Sequence, residues 1–308
     1  MSELIFRNVS KKSKDYSLNK LSFTLKPGEI FTLLCQNQKG SQVMVELIGG
    51  VVGPDQGKVL YRQRKISSGD YKHLVKMGMV TRSVFFYENL TGYENLKLIL
   101  KSYRRFKTYK EYRAMLEAVD YYFDLLNMTS FKDTLVGKYD LGTIQKLKFI
   151  RAMMIIPECV VLEEPFSFLD SLTVQVMMEH LNKKSQQEGL SVLILTSTLA
   201  QVVHYSQKIA MIHNGNIRDT VSREELLNRQ KSFILIQTDD MPRLLLHLEK
   251  DLLIFDYELL TDQELRVYDD LDSANAIFQL CYKEKISLRK VKNGYDTIES
   301  YFLNQIGD

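Results

Sequence analysis

The fold of this chain is decided by the stretch Cys35-Gln36-Asn37-Gln38-Lys39-Gly40-Ser41-Gln42-Val43. It lies between an apolar run at residues 29–34 that favours a β-strand and a run at roughly helical spacing at residues 43–52. A strand, a loop and a helix in this order are the setting of the phosphate-binding loop G-x-x-x-x-G-K-[ST]. The second glycine of that pattern is kept, but Ser41 and Gln42 stand where the lysine and the hydroxyl residue belong. The sequence therefore predicts a phosphate-loop fold whose loop lacks its usual ligands.

The composition predicts a folded, soluble chain with room for two domains. Its 308 residues can form one domain of about 200 residues and a smaller one, and 45% hydrophobic residues can furnish a sizeable core. The net charge of +3, with basic and acidic residues interspersed, argues against a nucleic-acid partner. The sequence shows neither a signal peptide nor an apolar stretch of the roughly 18 residues that a membrane span needs. We therefore expect a cytoplasmic location.

Strand-like and helical runs alternate through the first part of the chain, as in an α/β domain with a mainly parallel sheet. Two long helical stretches at residues 94–127 predict a helical subdomain at about 83–156. After residue 228 the order becomes β-α-β-β-α-β, that of the ferredoxin-like split unit. We predict an α/β domain at 1–227 and a small α+β accessory domain at 228–308, which ends in an amphipathic tail. The strand-like runs of the first part are residues 4–6, 21–25, 30–34, 58–61, 78–81, 159–162, 192–196 and 208–212.

Together with the loop, four further segments of the first 220 residues carry a resemblance to the ATPases of ABC transporters. Residues 159–170, CVVLEEPFSFLD, resemble the Walker B strand, catalytic glutamate and D-loop of that family. Residues 139–152, YDLGTIQKLKFIRA, look like its signature and the helix that follows, in the variant of peptide-export and bacitracin-type systems. Residues 90–96 resemble the segment after the Q-loop, and residues 209–217 resemble the last core strand and hairpin. The tail at 296–303 is similar to the end of the drug- and peptide-export branch.

The resemblance covers about the first 220 residues and implies a P-loop-NTPase-like ABC ATPase domain that holds ATP and Mg²⁺ between two subunits. On this pattern the nucleotide-binding positions are Tyr16, Asn37, Lys39, Gly40, Ser41, Gln42, Val43 and Arg82. The signature and D-loop positions are Asp140, Leu141, Gly142, Thr143 and Asp170. The catalytic positions are Glu164 as general base and Thr198 at the switch, and the metal positions are Gln42 and Glu163.

Most of these positions depart from what phosphate and Mg²⁺ demand. Ser41 removes a lysine whose charge-assisted contacts contribute roughly 1.5–3 kcal/mol each. Gln42 and Glu163 are longer than the usual ligands, whereas Mg²⁺ requires near-octahedral oxygens at about 2.0–2.1 Å. Arg82 replaces the Q-loop glutamine, and a cation cannot ligate a metal. We therefore expect ATP binding to be weak or absent, and the ATPase to be inactive or very weak.

Two further replacements lie at positions that contact the γ-phosphate in the family. Thr198 stands where the family has a histidine, and Asp140 stands at the signature serine, where a carboxylate would repel the partner's nucleotide. Backbone N–H groups at Gly40, Ser41 and Gln42 would still open a helix and attract an anion.

Alternatives stay open at several single residues. Glu164 is either the base or a structural relic, and Lys39 either reaches a phosphate or is a solvated lysine. Arg82 either binds a phosphate or forms an ion pair. Tyr16 either stacks on adenine or packs on its strand.

The leading hypothesis is a subunit of an ABC transporter of the export type that acts as a weakly binding or non-hydrolysing, structural or regulatory half. The alternatives are an active transporter ATPase and a soluble regulatory protein that reuses the fold. The resemblance implies two partners, a membrane-spanning subunit and a second ATPase-like subunit in a homo- or heterodimer. It places the chain peripherally on the inner face of the cell membrane. Phe85, Phe86 and Tyr87 would contact the membrane subunit or, alternatively, belong to the core.

Overall fold

The structure, a computed structural model, describes residues 3–14, 16–35, 37–103, 108–228, 232–268 and 271–295. The chain divides into two compact units, residues 1–223 and 224–308. The predicted tail at 296–306 lies outside the described residues. Within the part of the chain that the structure describes, no helix combines the length and the apolar character that a membrane crossing requires.

A largely parallel sheet lies at the centre of the first unit. Its strands are β3 (Ile30–Cys35), β6 (Met77–Val80), β7 (Cys159–Glu163), β8 (Ser191–Thr196), β9 (Lys208–His213) and β10 (Asn216–Ser222). Their order is β10-β9-β3-β8-β7-β6, and only β10 runs antiparallel to its neighbour. Every residue of β3, β7 and β8 is buried, as expected for strands covered on both faces. The predicted α/β fold with a parallel sheet is confirmed.

A second, antiparallel sheet packs beside it. Its strands are β1 (Leu4–Lys12), β2 (Ser17–Leu25), β4 (Gln56–Tyr61) and β5 (Arg64–Lys65), in the order β2-β1-β4-β5. The predicted strands at 4–6, 21–25 and 58–61 therefore belong to this sheet rather than to the parallel one. The two sheets share one core, in which Phe6 stacks on Phe23 at 4.5 Å and Phe23 meets the edge of Phe31 at 5.6 Å between ring centroids.

The helices of the first unit begin at residues that cap them well. They are α1 (Gln38–Ile48), α2 (Gly92–Tyr103), α3 (Tyr109–Leu125), α4 (Leu141–Met153) and α5 (Ser171–Glu188). The short α6 (Arg223–Asn228) begins at the boundary between the two units. Thr108 and Glu111 form a capping box at α3, and Asp140 and Asp170 cap α4 and α5. The two helical stretches predicted at 94–127 correspond to α2 and α3.

The second unit is a four-stranded antiparallel sheet with two helices. Its elements are β11 (Ser232–Thr238), α7 (Met241–Asp251), β12 (Tyr257–Thr261), β13 (Glu264–Val267), α8 (Leu271–Lys283) and β14 (Leu288–Tyr295). The strand order is β12-β13-β11-β14, and its core contains Ile234, Ile236, Leu244, Leu265 and Ile277. This is the ferredoxin-like arrangement predicted from the β-α-β-β-α-β order.

Candidate functional site

The loop between β3 and α1 is shorter than a phosphate-binding loop. Asn37 caps α1: its Oδ1 accepts the Lys39 N–H at 2.9 Å, and its carbonyl accepts the Gly40 N–H at 3.0 Å. Helix α1 therefore begins at Gln38, because Asn37 is a strong N-cap residue. The expectation that residues 40–42 open the helix is wrong, since Gln38 and Lys39 precede them in α1 and only Gly40 lies in its first three residues.

Tyr16 covers this loop. A Cβ atom built on Gly40 would lie 2.9 Å from Tyr16 Cε1, so the ring packs directly on the glycine backbone. The Tyr16 hydroxyl accepts the Gly215 N–H at 2.9 Å, and burial of the ring raises the pKa of Tyr16. Tyr16 also lines an open surface cavity of about 570 Å³ together with Asn37 and Lys39. The aromatic ring thus packs both on Gly40 and against the hydrophobic core.

Ser41 bonds directly to the carboxylate at the Walker B position. Its side chain is buried, and Oγ lies 3.0 Å from Glu163 Oε1 and 2.8 Å from the carbonyl oxygen of Gln38. Glu163, the last residue of β7, is only 3% exposed. The position that holds the phosphate-binding lysine in a working loop is therefore a neutral hydroxyl that satisfies a buried acid.

Arg82 forms an ion pair at the position of the Q-loop glutamine. Its Nε lies 3.8 Å from Glu163 Oε1, and its Nη2 lies 4.0 Å from Glu164 Oε1. Its Nη1 donates to Gln38 Oε1, and its backbone N–H donates to Glu163 Oε2 at 3.1 Å. Of the two alternatives for Arg82, the structure shows the ion pair.

Glu164 is held by the end of β8. Its carboxylate accepts the Ser197 N–H at 2.8 Å and the Thr196 hydroxyl at 3.2 Å. Its backbone has a positive φ of 42°, and Gln145 Nε2 donates to its carbonyl at 3.0 Å. Thr198 is exposed, and its N–H donates to Thr196 Oγ1. The carboxylate of the candidate base therefore already accepts hydrogen bonds from Thr196 and Ser197.

Two predicted nucleotide or metal residues point elsewhere. Gln42 is exposed, and its amide donates to Glu46 Oε1 at 2.9 Å, one turn further along α1. Val43 is 5% exposed and belongs to the hydrophobic core. Because α1 starts early, Gln42 is carried to the outer face of the helix. Gln42 as a metal ligand and Val43 as a nucleotide contact are therefore corrected.

Asp140 and Asp170 act as helix caps. Asp140 Oδ1 accepts the Thr143 N–H at 2.6 Å, and Asp170 Oδ1 accepts the Thr173 N–H at 2.8 Å. These hydrogen bonds lower the pKa of both carboxyl groups. The signature and the D-loop lie in contact, since a Cβ on Gly142 would lie 2.7 Å from the backbone oxygen of Phe168. Leu141, next to Asp140, is 57% exposed, and Thr143 is buried.

The residues at the metal position do not fit Mg²⁺. Within the described ranges, no group of three or more His, Cys, Asp or Glu side chains is arranged to hold a metal ion. Glu163 is bonded to Ser41 and paired with Arg82, whose positive charge is incompatible with an adjacent metal ion. Ser41 stands at the lysine position of the loop pattern, and Tyr16 packs on Gly40. Glu163 is therefore satisfied by Ser41 and Arg82 within the chain.

The segment after Arg82 presents aromatic side chains at the surface. Phe85 is 88% exposed and Tyr87 is 62% exposed, while Phe86 is partly buried. The buried Asn95 holds the segment: its Oδ1 accepts the Tyr87 N–H at 2.8 Å, and its Nδ2 donates to the Tyr87 carbonyl at 3.0 Å. Of the two alternatives for these aromatics, Phe85 and Tyr87 belong to the surface.

Two residues of the site were missed from the sequence. Gln38 occupies a position that the loop pattern leaves unspecified, and nothing in the sequence indicates that it bonds to Arg82. Asn95 lies inside a segment that carries the family resemblance, but that resemblance does not indicate its bonds to Tyr87. Its place one turn into a helix that opens with Thr91 and Glu94 is the one signal that could have located it.

Residues 18–167 match the family model described as ABC transporter. The bacitracin transport ATP-binding protein BcrA of Bacillus licheniformis is 25% identical over 291 residues, which cover 94% of this chain and 92% of that protein. The uncharacterized ABC transporter ATP-binding protein YcbN of Bacillus subtilis strain 168 is 25% identical over 289 residues, again with 94% and 92% coverage.

Solved structures show the same fold. An ATP-binding subunit of an ABC transporter superposes with a TM-score of 0.64 at 20% identity and covers 73% of this chain and 92% of its own. The dimeric ABC transporter cassette MJ0796 superposes with a TM-score of 0.62 at 21% identity and covers 71% and 98%. The predicted cassette fold is confirmed. The chain therefore carries an ABC transporter ATP-binding domain.

Proposed function

We propose that this chain is a subunit of an export-type ABC transporter that does not hydrolyse ATP and acts as a structural or regulatory half. The observation that carries the proposal is the position of Arg82, whose guanidinium pairs with Glu163 and Glu164 at the place where Mg²⁺ would be needed. The similarity to bacitracin transport ATP-binding proteins supports the export type.

The loop supports the same proposal. In a working phosphate loop, backbone N–H groups, a lysine and a hydroxyl ligand act together on the β- and γ-phosphates and Mg²⁺. Here the lysine position is Ser41, the hydroxyl position turns to solvent, and Tyr16 packs on Gly40. The loss of a few kcal/mol of phosphate contacts takes a micromolar Kd to roughly millimolar, since about 1.4 kcal/mol is tenfold. Nucleotide binding, where it survives, is weak.

The partner surface lies beside Phe85 and Tyr87. A cavity of about 350 Å³ opens next to Phe85 and is lined by Met79, Ile99 and Arg151. Exposed aromatic side chains beside a surface cavity are typical of a protein contact. We assign this surface to a membrane-spanning subunit, which would hold the chain on the inner face of the membrane. A second ATPase-like subunit is the other partner, and residues 228–308 form the accessory domain.

The first test is ATP hydrolysis. Purified full-length protein is expected to release phosphate from Mg·ATP no faster than its Glu164→Gln variant. Glutamine keeps one oxygen acceptor for the Ser197 N–H, and its amide nitrogen can donate to the Thr196 hydroxyl oxygen; because it cannot take a proton, the variant is folded and lacks the base. Calorimetric titration with ATP should give a Kd near or above roughly 1 mM. A wild-type rate tenfold above the variant would contradict the proposal.

The second test concerns the contact surface. Replacing Phe85 and Tyr87 by Ser is expected to change the free energy of unfolding by less than about 0.5 kcal/mol, because both side chains are exposed. The same change should abolish sedimentation with membranes of the cells that naturally make the protein. Tyr109→Ser removes an aromatic that is 75% exposed at the start of α3 and should leave sedimentation intact. Unaltered sedimentation of the double variant would assign the contact to another surface.

A further inference from the structure

Three separate parts of the first unit converge on Arg82. Its guanidinium reaches Gln38 at the start of α1 and the carboxylates of Glu163 and Glu164 at the end of β7. Its backbone N–H donates to Glu163 Oε2 at 3.1 Å, and its backbone carbonyl accepts Lys148 Nζ of α4 at 3.4 Å. Arg82 thus contacts the start of α1, the end of β7 and helix α4 through its side chain and its backbone.

The charges at this point require a cation. The side chain of Glu163 is 2% exposed and that of Glu164 is 13% exposed, so two adjacent carboxylates are largely removed from water. Buried charges persist only when they are paired or coordinate a metal. In a phosphate-loop site with a bound nucleotide, Mg²⁺ and the loop lysine supply the positive charge. Here the guanidinium of Arg82 supplies it from within the chain.

The same residue begins the aromatic segment at 82–87. At its far end, the N–H and carbonyl of Tyr87 are both bonded to the buried Asn95. The segment is therefore fixed at both ends by hydrogen bonds of 2.8–3.1 Å, with the exposed Phe85 between them. A segment fixed in this way does not depend on a bound nucleotide for its position.

We propose that Arg82 is a built-in replacement for Mg²⁺, a positioning residue that holds the partner-contacting segment 82–87 in one position without nucleotide. The inference rests on the proposed function, in which that segment contacts the membrane-spanning subunit. It deepens the proposed function by stating how a subunit without ATP hydrolysis keeps its contact surface ordered. The regulation of this surface by ATP is replaced by a permanent ion pair.

The test compares the full-length protein with its Arg82→Gln variant by hydrogen exchange, without nucleotide. In the wild type, the hydrogen-bonded amides of Arg82 and Tyr87 should exchange slowly. In the variant, they should exchange at least about tenfold faster, which corresponds to about 1.4 kcal/mol of lost local stability. Arg113→Gln is the matched control, because Arg113 pairs with Glu117 at 3.6 Å on the surface of α3. Exchange of residues 82–87 in Arg82→Gln at the wild-type rate would overturn the proposal.

The response of the Arg82→Gln variant to MgCl₂ distinguishes two roles of Arg82, replacement of the metal cation and simple cross-linking of its neighbours. The Arg82→Gln variant should melt roughly 4–8 °C below the wild type, because buried Glu163 loses its partner. Adding MgCl₂ alone should recover at least half of this difference, since the two carboxylates and the introduced amide then offer oxygen ligands. The wild type should not respond. A variant that responds to MgCl₂ no more than the wild type would show that Arg82 is a cross-link and not a stand-in for the metal.

These readouts are independent of the ATPase measurement, because neither uses nucleotide. ATP hydrolysis by the wild type would refute the proposed function whatever the exchange rates are. Unchanged exchange in the Arg82→Gln variant would refute the positioning role even if the wild type hydrolyses no ATP. The conservative Arg82→Lys variant keeps the charge but not the planar fork, and should fall between the wild type and Arg82→Gln in exchange.

Discussion

Replacing Gly215 by Ala is expected to lower the free energy of unfolding by about 3–5 kcal/mol and to detach Tyr16 from the loop. Gly215 has a φ of 76°, and a Cβ atom there would lie 1.9 Å from the backbone oxygen of Ser17. That oxygen belongs to β2 and cannot rotate away as a side chain would. The displaced Gly215 N–H would also lose the Tyr16 hydroxyl. Urea denaturation followed by circular dichroism gives the loss of stability.

Gly189 provides the matched control. It caps α5 with a φ of 72°, and a Cβ atom there would meet no atom within 4 Å. Gly189→Ala should therefore cost only the left-handed backbone conformation, about 1–2 kcal/mol. The difference between the two variants isolates the contact between Gly215 and β2. Equal costs would mean that β2 moves freely, and that Tyr16 is not held over Gly40 by this turn.

The parallel strands could be predicted because their sequence pattern is unambiguous. Residues 159–162 and 192–196 are continuous apolar runs, which a strand buried on both faces requires. The antiparallel sheet could not be separated from them, because a short strand-like run such as residues 4–6 does not reveal its partner strand. Strand pairing is decided by contacts such as that of Phe6 with Phe23, which join residues of different strands.

The start of α1 was predicted too late, although the signal for it was present. Asn37 is a preferred N-cap residue, but the glycine of the loop pattern led to a helix start at Gly40. In the structure the local preference of Asn37 decides the boundary, because nothing in this chain requires a wide loop. The local rule was correct and the family pattern was misleading here.

The ion pair of Arg82 could be stated only as an alternative. Arg82 and Glu163 are separated by 81 positions, and Gln38 is 44 positions from Arg82. A sequence shows that each residue departs from the phosphate-loop pattern, but not that the departures compensate one another. Ser41, Arg82 and Glu163 together form a neutral hydroxyl, a cation and a buried acid that satisfy each other. The fold brings these three residues into contact, and this contact explains why all three positions depart from the phosphate-loop pattern.

The change of Asn95 to Ala is expected to lower the free energy of unfolding by about 3 kcal/mol. Asn95 is 2% exposed, and its amide bonds to the Tyr87 N–H, the Tyr87 carbonyl and the Thr91 carbonyl at 2.8–3.0 Å. Alanine would leave these three backbone groups without their Asn95 partner. Urea denaturation measures the loss, and hydrogen exchange of residues 87–91 locates it.

Asn182 serves as the comparison for Asn95, because it makes only an exposed bond with Gln186 at 3.2 Å. Asn182→Ala should change stability by less than about 0.5 kcal/mol and leave exchange at residues 87–91 unaltered. If Asn95→Ala were as mild as this control, Tyr87 would not be clamped. Phe85 would then be attached at one end only, through Arg82. The expected large loss instead makes the segment 82–87 a rigid part of the fold, held by one buried amide and one arginine.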